Sequence, residues 1–303
     1  MISKIREYLQ QDKIKKSFQI DQPQVEHLGR GKFNELYLIR SGQKRYVFRI
    51  NRYLPHENTG KTRKEFEVLK TIENIKIAPK AYFLDDSRSF FDTSIIILEY
   101  IEGKDLSEGI PEEAVSKIAE TYVHLHSITI GEKRYSLVKE LDDHYQRYDL
   151  QPLRDHPLHG QTIERFELLL QKVREQLKEE KSSSLSILKG DNKPSNIIYD
   201  GEKIMFIDWE FSKNGPVILD LANFLNHTDV DEDAFLKEYE KASGKKVESL
   251  PLFKLRDETL RAVWTLNKIS ESLDDETESK KQTALLKKKT EMIEEHFTSW
   301  LKR

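Results

Sequence analysis

The first third of the chain alternates apolar and polar positions in the manner of β-strands. Aromatic and branched side chains are concentrated at 37–40 and 45–50, and the residues between them, 41–43, read Ser-Gly-Gln, which is a turn signal. A helical pattern at 62–74 and a strongly apolar strand at 94–98 come next. The pattern predicts a small, mostly antiparallel β region that contains one helix.

Beyond this region the apolar positions recur every three or four residues, which predicts long amphipathic helices. One β island interrupts them, because Ile197–Tyr199 and the apolar run 204–207 flank an Asp-Gly pair that favours a hairpin turn. The helical stretches are expected near 112–127, 162–180, 257–273 and 283–301. We therefore predict an α+β fold, with a small β lobe over 1–102 and a larger helical lobe over 103–303 that holds the hairpin.

Composition narrows the range of functions. The 303 residues are 37% hydrophobic, which suits one large or two modest domains, and the formal net charge of −3 gives no basic field for nucleic acid or anionic membrane. The absence of cysteine excludes a disulfide scaffold, a thiolate metal site and a cysteine nucleophile. No stretch approaches the ~18 apolar residues of a membrane span. We expect a soluble, cytoplasmic protein without nucleic-acid or membrane partners.

Candidate chemistry lies around the predicted hairpin. The segment 189–196 reads Lys-Gly-Asp-Asn-Lys-Pro-Ser-Asn, and the chain leaves the hairpin at 208–210 with Asp-Trp-Glu. Asp191 and Asn196 precede the hairpin and Asp208 follows it, so the turn of the chain should bring the three side chains to one edge. Phosphoryl transfer needs such a set: a carboxylate that orients a hydroxyl and accepts its proton, and hard oxygen ligands for metal ions.

These residues resemble the catalytic loop of the aminoglycoside phosphotransferase and choline kinase superfamily. Its signature is H-G-D-x-x-x-x-N, followed by I-D-[WFY]-[ED]. The resemblance implies the two-lobed protein-kinase-like fold, with Asp191 as the catalytic base and with Asn196 and Asp208 as Mg²⁺ ligands. Asp220 matches an Asp that braces the catalytic loop from the next helix. An ordinary carboxylate at a helix start is the alternative reading of Asp220.

One position departs from the signature, because the family His is Lys189 here. In the family that His supports the loop and does no chemistry, so the resemblance implies a supporting role for Lys189. A lysine cannot reproduce the packing of the ring, however, and a buried ammonium needs a partner. A catalytically inactive version of the fold is therefore a second interpretation.

The region 27–34, His-Leu-Gly-Arg-Gly-Lys-Phe-Asn, resembles the family's glycine-containing loop between the first two strands. There the backbone N–H groups approach the nucleotide phosphates. The resemblance implies that Gly29, Gly31 and Asn34 contact the nucleotide, and a plain hairpin is the alternative. The segment 99–103 resembles the family's hinge, so the backbone of its residues is expected to bind adenine.

A basic residue on the following strand is the candidate phosphate-binding cation. Strand alternation places Arg49 on the face opposite Phe48 and its apolar neighbours. Part of the choline kinase-like family has Arg where protein kinases have Lys, so the role carries over by resemblance, and a solvent-facing Arg is the alternative. Glu65 shares an apolar helix face with Leu69, whereas Glu67 falls on the polar side. Glu65 is the expected partner of Arg49, because an inward carboxylate needs a cation.

The combined expectation is an ATP- and Mg²⁺-dependent kinase that phosphorylates a hydroxyl of a small molecule, such as an amino alcohol, a sugar or an aminoglycoside-like compound. In the hinge, Glu99 and Ile101 are the residues expected at the adenine. A nucleotide-binding pseudokinase that acts as a scaffold is the first alternative. A protein kinase is the second, but Asp208 is not followed by the Phe-Gly of D-F-G and no A-P-E segment occurs. The acceptor and the oligomeric state stay open.

Overall fold

The computed structural model describes residues 1–18, 22–31, 33–52, 60–133, 135–147, 149–177 and 183–301. The chain forms two compact units, each built from two segments. The first unit contains 1–125 and 189–213, and the second contains 126–188 and 214–303. The lobe boundary expected near residue 102 stays a prediction. No helix in the described residues has both the length and the apolar character needed to cross a bilayer.

The secondary structure contains both strands and helices. The strands are β1 Gln24–Arg30, β2 Asn34–Ser41, β3 Lys44–Asn51, β4 Ala81–Asp85, β5 Ile95–Glu99, β6 Lys104–Asp105, β7 Thr129–Lys133, β8 Ser183–Leu188, β9 Ile197–Tyr199, β10 Ile204–Phe206 and β11 Lys213–Gly215. The helices are α1 Ile2–Leu9, α2 Asp12–Phe18, α3 Lys61–Thr71, α4 Glu112–His126, α5 Leu137–Tyr145, α6 Gln151–Arg154, α7 Gly160–Leu177, α8 Ile218–Leu225, α9 Glu232–Ser243, α10 Leu250–Glu271 and α11 Glu276–Leu301. Short 3-10 turns occur at Glu73–Ile75 and Pro194–Asn196. The predicted α+β fold class is confirmed.

Within the described residues, five strands of the first unit form an antiparallel sheet in the order β1-β2-β3-β5-β4. The predicted hairpin between β2 and β3 is present, and its Gly42 has a φ of 59°. The central strand β3 has Phe48 and Ile50 in the apolar core, together with Tyr8 of α1. The Tyr8 hydroxyl donates a hydrogen bond of 2.6 Å to Asp85, which ties α1 to the end of β4.

The helix α3 is amphipathic, as its sequence predicts. Leu69 and Ile72 are buried and Glu67 is exposed, so the helix presents one apolar face to the first unit. Glu65 lies on this buried face and is 2% exposed. The face assignment made from the spacing is therefore confirmed, and a carboxylate is placed inside the unit.

The predicted hairpin of β9 and β10 is also present, with Tyr199 opposite Ile204. Its turn is held by Asp200, whose Oδ1 accepts the backbone N–H groups of Glu202 (2.8 Å) and Lys203 (2.7 Å). Phe206 at the end of β10 is buried. The hairpin thereby fixes the two chain segments that enter and leave it, which are those with the candidate site residues.

The second unit is largely helical and is built around α10, which packs against α5, α7, α8 and α11. The helix starts at Leu250, earlier than predicted, with a proline in its first turn, where the missing N–H costs no hydrogen bond. Arg256 of α10 is 2% exposed and forms an ion pair with Glu140 of α5. The other predicted helices correspond to α4, α7 and α11, and residues 178–180 lie outside the described residues.

Candidate active site

Asp191 lies in the loop that leads into the hairpin. Its Oδ2 accepts hydrogen bonds from Asn196 Nδ2 and Lys193 Nζ, each at 2.9 Å. Burial alone would raise the pKa of Asp191, but the positive charges of Lys189 and Lys193 outweigh burial and lower it. The carboxylate is therefore ionised at neutral pH, as a proton acceptor must be. Among the described residues, Oδ1 of Asp191 has no hydrogen-bond partner.

The preceding residue must be glycine for this loop to form. Gly190 has a φ of 83°, and a Cβ added there would lie 2.2 Å from the carbonyl oxygen of Phe211. Such a contact is too short for any side chain, so the loop and the segment after β10 approach each other backbone to backbone. Gly190 thus allows the two halves of the candidate site to meet.

Asn196 and Asp208 lie at the two ends of the hairpin. The Asn196 side chain is buried and its amide nitrogen donates to Asp191, which directs the amide oxygen away from that carboxylate. Asp208 has a φ of 59°, a left-handed conformation that is uncommon outside glycine. Burial raises the pKa of Asp208, although the Arg49 guanidinium, 3.9 Å from its Oδ1, opposes the shift.

The amide oxygen of Asn196 and the carboxylate of Asp208 are oxygen ligands of the kind that Mg²⁺ prefers. Glu210 adds a third carboxyl group, and burial, reinforced by the charge of Asp208, raises its pKa to about 7. In the part of the chain that the structure describes, no three His, Cys, Asp or Glu side chains are grouped so that they could hold a metal by themselves. Mg²⁺ usually binds one or two carboxylates together with substrate phosphates. Asn196 and Asp208 therefore fit a metal ion that arrives with a nucleotide.

Arg49 and Glu65 form a buried ion pair. Nη1 of Arg49 donates to Oε1 of Glu65 at 2.9 Å, and Nη2 donates to Oε2, which makes the pair bidentate. Burial alone would lower the pKa of Arg49, but the Glu65 carboxylate outweighs it and raises the pKa. The backbone N–H of Trp209 donates to the same Oε1 at 3.2 Å. Glu65 therefore links the strand β3 to the segment that contains Asp208.

Lys189 links the same segment to the loop that contains Asp191. The side chain is 1% exposed, and its ammonium donates to the carbonyl oxygens of Asp191 (3.0 Å) and Asp208 (2.6 Å). The ammonium also lies 5.7 Å from the centre of the Trp209 ring. The partner that a buried lysine requires is thus supplied by backbone carbonyls of two candidate site residues.

The glycine-containing loop approaches the segment after β10. Gly31 N–H donates to the carbonyl of Asn34 at 2.8 Å, and the Asn34 amide donates to Glu210 at 3.1 Å. Among the described residues, a Cβ added at Gly29 would meet nothing within 4 Å, and one at Gly31 would meet only the Asn34 carbonyl at 3.7 Å. None of these described neighbours requires glycine at either position. Lys32 of this loop lies outside the described residues.

The hinge segment follows β5. Glu99 ends that strand, its N–H donates to the Lys80 carbonyl at 2.9 Å, and its carboxylate accepts the Lys80 N–H at 3.1 Å. Ile101 is half-buried in the chain between β5 and β6. Nearby, the Arg45 guanidinium lies 5.1 Å from the centre of the Tyr100 ring. None of these contacts joins the segment to Asp191 or Asp208, so its adenine-binding role stays a prediction.

Asp220 belongs to the second unit, in the first turn of α8. It is 1% exposed, so this carboxylate at the start of a helix lies in the interior. Because a carboxylate only accepts hydrogen bonds, Nε2 of His126 donates to Asp220 (3.3 Å), and Nδ1 pairs with the Tyr239 hydroxyl (2.9 Å). The role of Asp220 as a brace of the catalytic loop stays a prediction.

Two contacts at this site had no counterpart in the sequence reasoning. Lys193 pairs with Asp191, and the Asn34 amide holds Glu210. Glu210 carried a signal, since it occupies the last position of the I-D-[WFY]-[ED] signature. Lys193 carried none, because a residue in a loop has no periodicity that would predict the direction of its side chain.

Comparison with known proteins identifies the family of this chain. Residues 24–253 match the model of a phosphotransferase enzyme family. The chain belongs to this family. No curated protein matches the sequence significantly, so the assignment of this phosphotransferase rests on the family model and the fold.

Solved structures with the same fold include a choline kinase, an aminoglycoside phosphotransferase and a spectinomycin phosphotransferase. Choline kinase LicA from Streptococcus pneumoniae has a TM-score of 0.67 and 20% identity, over 95% of this chain and 99% of that chain. Aminoglycoside phosphotransferase APH(4)-Ia has a TM-score of 0.68 and 15% identity, over 98% of this chain and 99% of that chain. Spectinomycin phosphotransferase APH(9)-Ia, solved with ADP and spectinomycin, has a TM-score of 0.64 and 14% identity, over 97% of this chain and 98% of that chain. At sequence identities this low, these structures show only that they share the fold of this phosphotransferase.

Proposed function

We propose that this phosphotransferase is an ATP-dependent kinase that transfers the γ-phosphoryl group to a hydroxyl of a small molecule. The observation that carries the proposal is the arrangement at the hairpin. Asp191 is ionised and has one oxygen without a partner among the described residues, and Asn196 and Asp208 lie at either end of the hairpin. Phosphoryl transfer requires little more than positioning and charge stabilisation by such groups.

In the proposed reaction the acceptor hydroxyl donates a hydrogen bond to Oδ1 of Asp191. Asp191 orients the hydroxyl and takes its proton as the new O–P bond forms and the bond from the γ-phosphorus to the ADP oxygen breaks. Asn196 holds Oδ2 by its amide at 2.9 Å and so keeps the carboxylate in place. Mg²⁺, held by Asn196 and Asp208, would supply charge neutralisation at the phosphates.

The remaining proposed contacts concern the nucleotide. Arg49 and the loop with Gly29, Gly31 and Asn34 are proposed to bind its phosphates, and the backbone at Glu99 and Ile101 its adenine. The Arg49 guanidinium, 3.9 Å from Oδ1 of Asp208, and the lack of any described neighbour within 4 Å of a Cβ at Gly29 support this assignment. Because the proposed reaction consumes ATP, we place the protein in the cytoplasm.

The acceptor is proposed to be an amino alcohol, a sugar or an aminoglycoside-like compound. A library of these three classes, assayed for ADP release in Mg²⁺, tests the proposal. We expect one class to stimulate ADP release, and we expect EDTA and Asp191→Asn to abolish the stimulation. Nucleotide binding without transfer to any acceptor, unchanged in Asp191→Asn, would favour the scaffold alternative. Phosphorylation of a protein substrate instead would favour a protein kinase.

A further inference from the structure

A tight turn at 209–212 follows the hairpin of β9 and β10. The N–H of Ser212 donates to the carbonyl oxygen of Trp209 at 3.0 Å, which closes the turn. Glu210 and Phe211 are therefore its two central residues. Trp209 is buried, and its indole N–H donates to the Phe206 carbonyl at 2.7 Å. The turn is thus anchored in the interior through its first residue.

The backbone of Phe211 is fixed as well. A Cβ added at Gly190 would lie 2.2 Å from the carbonyl oxygen of Phe211, so the two backbones are in direct contact. Phe211 cannot follow a movement of another segment without disturbing this contact. Its ring is therefore attached to a backbone that stays in place.

Both central residues of the turn contact the glycine-containing loop. The Asn34 amide donates to Glu210 at 3.1 Å. The ring of Phe33 meets the ring of Phe211 edge to face, with centroids 6.3 Å apart and planes at 62°. Aromatic rings attract each other at such distances and orientations. Two consecutive residues of the loop are thus held by two consecutive residues of the turn.

The loop is held from its other side by the residue that follows β3. The N–H of Arg52 donates to the Phe33 carbonyl at 2.7 Å, and its guanidinium donates to the Gly31 carbonyl at 3.1 Å. These hydrogen bonds restrain the backbone of the loop at the β3 side. They leave the direction of the Phe33 ring to its own contacts, of which the Phe211 ring is one.

We infer that Phe211 is a positioning residue, which acts through Phe33 to hold the glycine-containing loop where it binds the nucleotide phosphates. The inference rests on the proposed function and adds a residue that needs no contact with the nucleotide. A ligand binds more weakly in proportion to the time that its binding loop spends elsewhere. One edge-to-face pair changes such an equilibrium by roughly two- to tenfold.

Nucleotide affinities test this role. Phe211→Leu keeps an apolar side chain and removes the ring, and we expect it to weaken binding of a non-hydrolysable ATP analogue by about fivefold. Affinity for AMP should stay within about twofold, because AMP lacks two of the phosphates that the loop is proposed to bind. Phe211→Tyr, which keeps the ring, should bind both nucleotides as the wild type does.

A double variant shows whether Phe211 acts through Phe33. Phe33→Leu alone should have the same effect as Phe211→Leu. The variant with both changes should bind the ATP analogue no more weakly than either single variant, because one contact can be lost only once. Phe33→Leu also tests the inference by itself, since it leaves the turn at 209–212 unaltered.

Isothermal titration calorimetry of the full chain in Mg²⁺ measures these affinities, and no acceptor needs to be known. The matched control is Phe83→Leu on β4. Phe83 is also half-buried and meets Phe18 edge to face with centroids 6.0 Å apart, so its loss removes a similar contact elsewhere in the first unit. Both affinities should stay unchanged in this control. Thermal melts verify that each variant is folded.

Equal losses for the ATP analogue and AMP, or an unchanged affinity for the ATP analogue, would overturn the inference while leaving the proposed function intact. Additive losses in the double variant would also overturn it, because Phe211 would then act by a route other than Phe33. If the wild-type protein binds neither nucleotide, the proposed function itself fails, and the inference fails with it.

Discussion

A Glu65→Gln substitution removes one negative charge from the buried pair with Arg49 and leaves the shape of the side chain almost unchanged. The amide keeps one acceptor oxygen, which in the place of Oε1 could still accept from Nη1 of Arg49 and from the Trp209 N–H, but Nη2 of Arg49 would lose its acceptor Oε2. The amide NH₂ would face another donor in either orientation. The Arg49 guanidinium is 4% exposed, so water could not replace the interactions that its charge would lose.

Breaking a buried ion pair by removing one partner costs about 3–5 kcal/mol, and the retained acceptor of Gln argues for the lower end, ~3 kcal/mol of unfolding free energy. Glu67→Gln on the same helix is the matched control. Because Glu67 is exposed, we expect that change to stay within about 0.5 kcal/mol. The proposed function adds that Glu65→Gln lowers the affinity for ATP, since Arg49 would lose its fixed position.

Urea unfolding of both variants and calorimetric titration with an ATP analogue measure these effects. The double variant Arg49→Met with Glu65→Met should be more stable than the sum of the single changes predicts, because no buried charge is left without a partner. Strictly additive losses would mean that the two side chains are not coupled. A larger effect at Glu67 than at Glu65 would refute the reasoning altogether.

Three further changes test separate parts of the molecule. Asp208→Ala should abolish Mg²⁺-dependent transfer with little change in melting temperature, since burial already disfavours that charge, and residual metal-dependent activity would contradict its assignment. Lys189→His should keep kcat within about tenfold, a barrier change of ~1.4 kcal/mol, but lower the melting temperature because one ring cannot replace both donors. Burial, reinforced by the charge of Arg261, lowers the pKa of Lys289 from 10.5 in the unfolded chain to about 8. Below pH 8 the buried charge therefore destabilises the folded protein. Between pH 8 and pH 10.5 the folded protein loses this charge first, so the free energy of unfolding rises. Lys289→Met should therefore raise unfolding free energy by ~1 kcal/mol at pH 7 and lose that advantage by about pH 10, which melts across this pH range will reveal.

The Arg49–Glu65 pair illustrates how far spacing alone can predict structure. Strand alternation separated Arg49 from Phe48, and helix periodicity placed Glu65 with Leu69, so one carboxylate was expected inside. Because an unpaired buried charge is so unfavourable, Glu65 was expected to pair with a cation, and Arg49 was the candidate. The observed bidentate contact confirms the face assignments, although the nucleotide roles stay predictions.

The loop 189–196 illustrates where the same method ends. A loop has no period, so its sequence could not indicate that Lys193 turns toward Asp191. Nor could it indicate that Lys189 reaches the carbonyl of Asp208, 19 residues along the chain. Such contacts depend on how the hairpin brings two backbone segments together, which is a tertiary property. The helix α1 is a different case, because its buried Ile5, Tyr8 and Leu9 follow a helical spacing that can be recognised in the sequence alone.

The contacts of Lys189 also bear on whether its departure from the family signature removes activity. The family His is expected only to support the loop, and support here means donating hydrogen bonds to carbonyls. An ammonium has three donors, and two of them bind the carbonyls of Asp191 and Asp208. These carbonyls belong to the proposed base and a proposed metal ligand, so the lysine holds together the two groups that phosphoryl transfer must keep in register. Its charge further lowers the pKa of Asp191, which favours the ionised form that the base requires. Lys189 therefore supplies what the site needs from that position, and its presence no longer favours the inactive alternative.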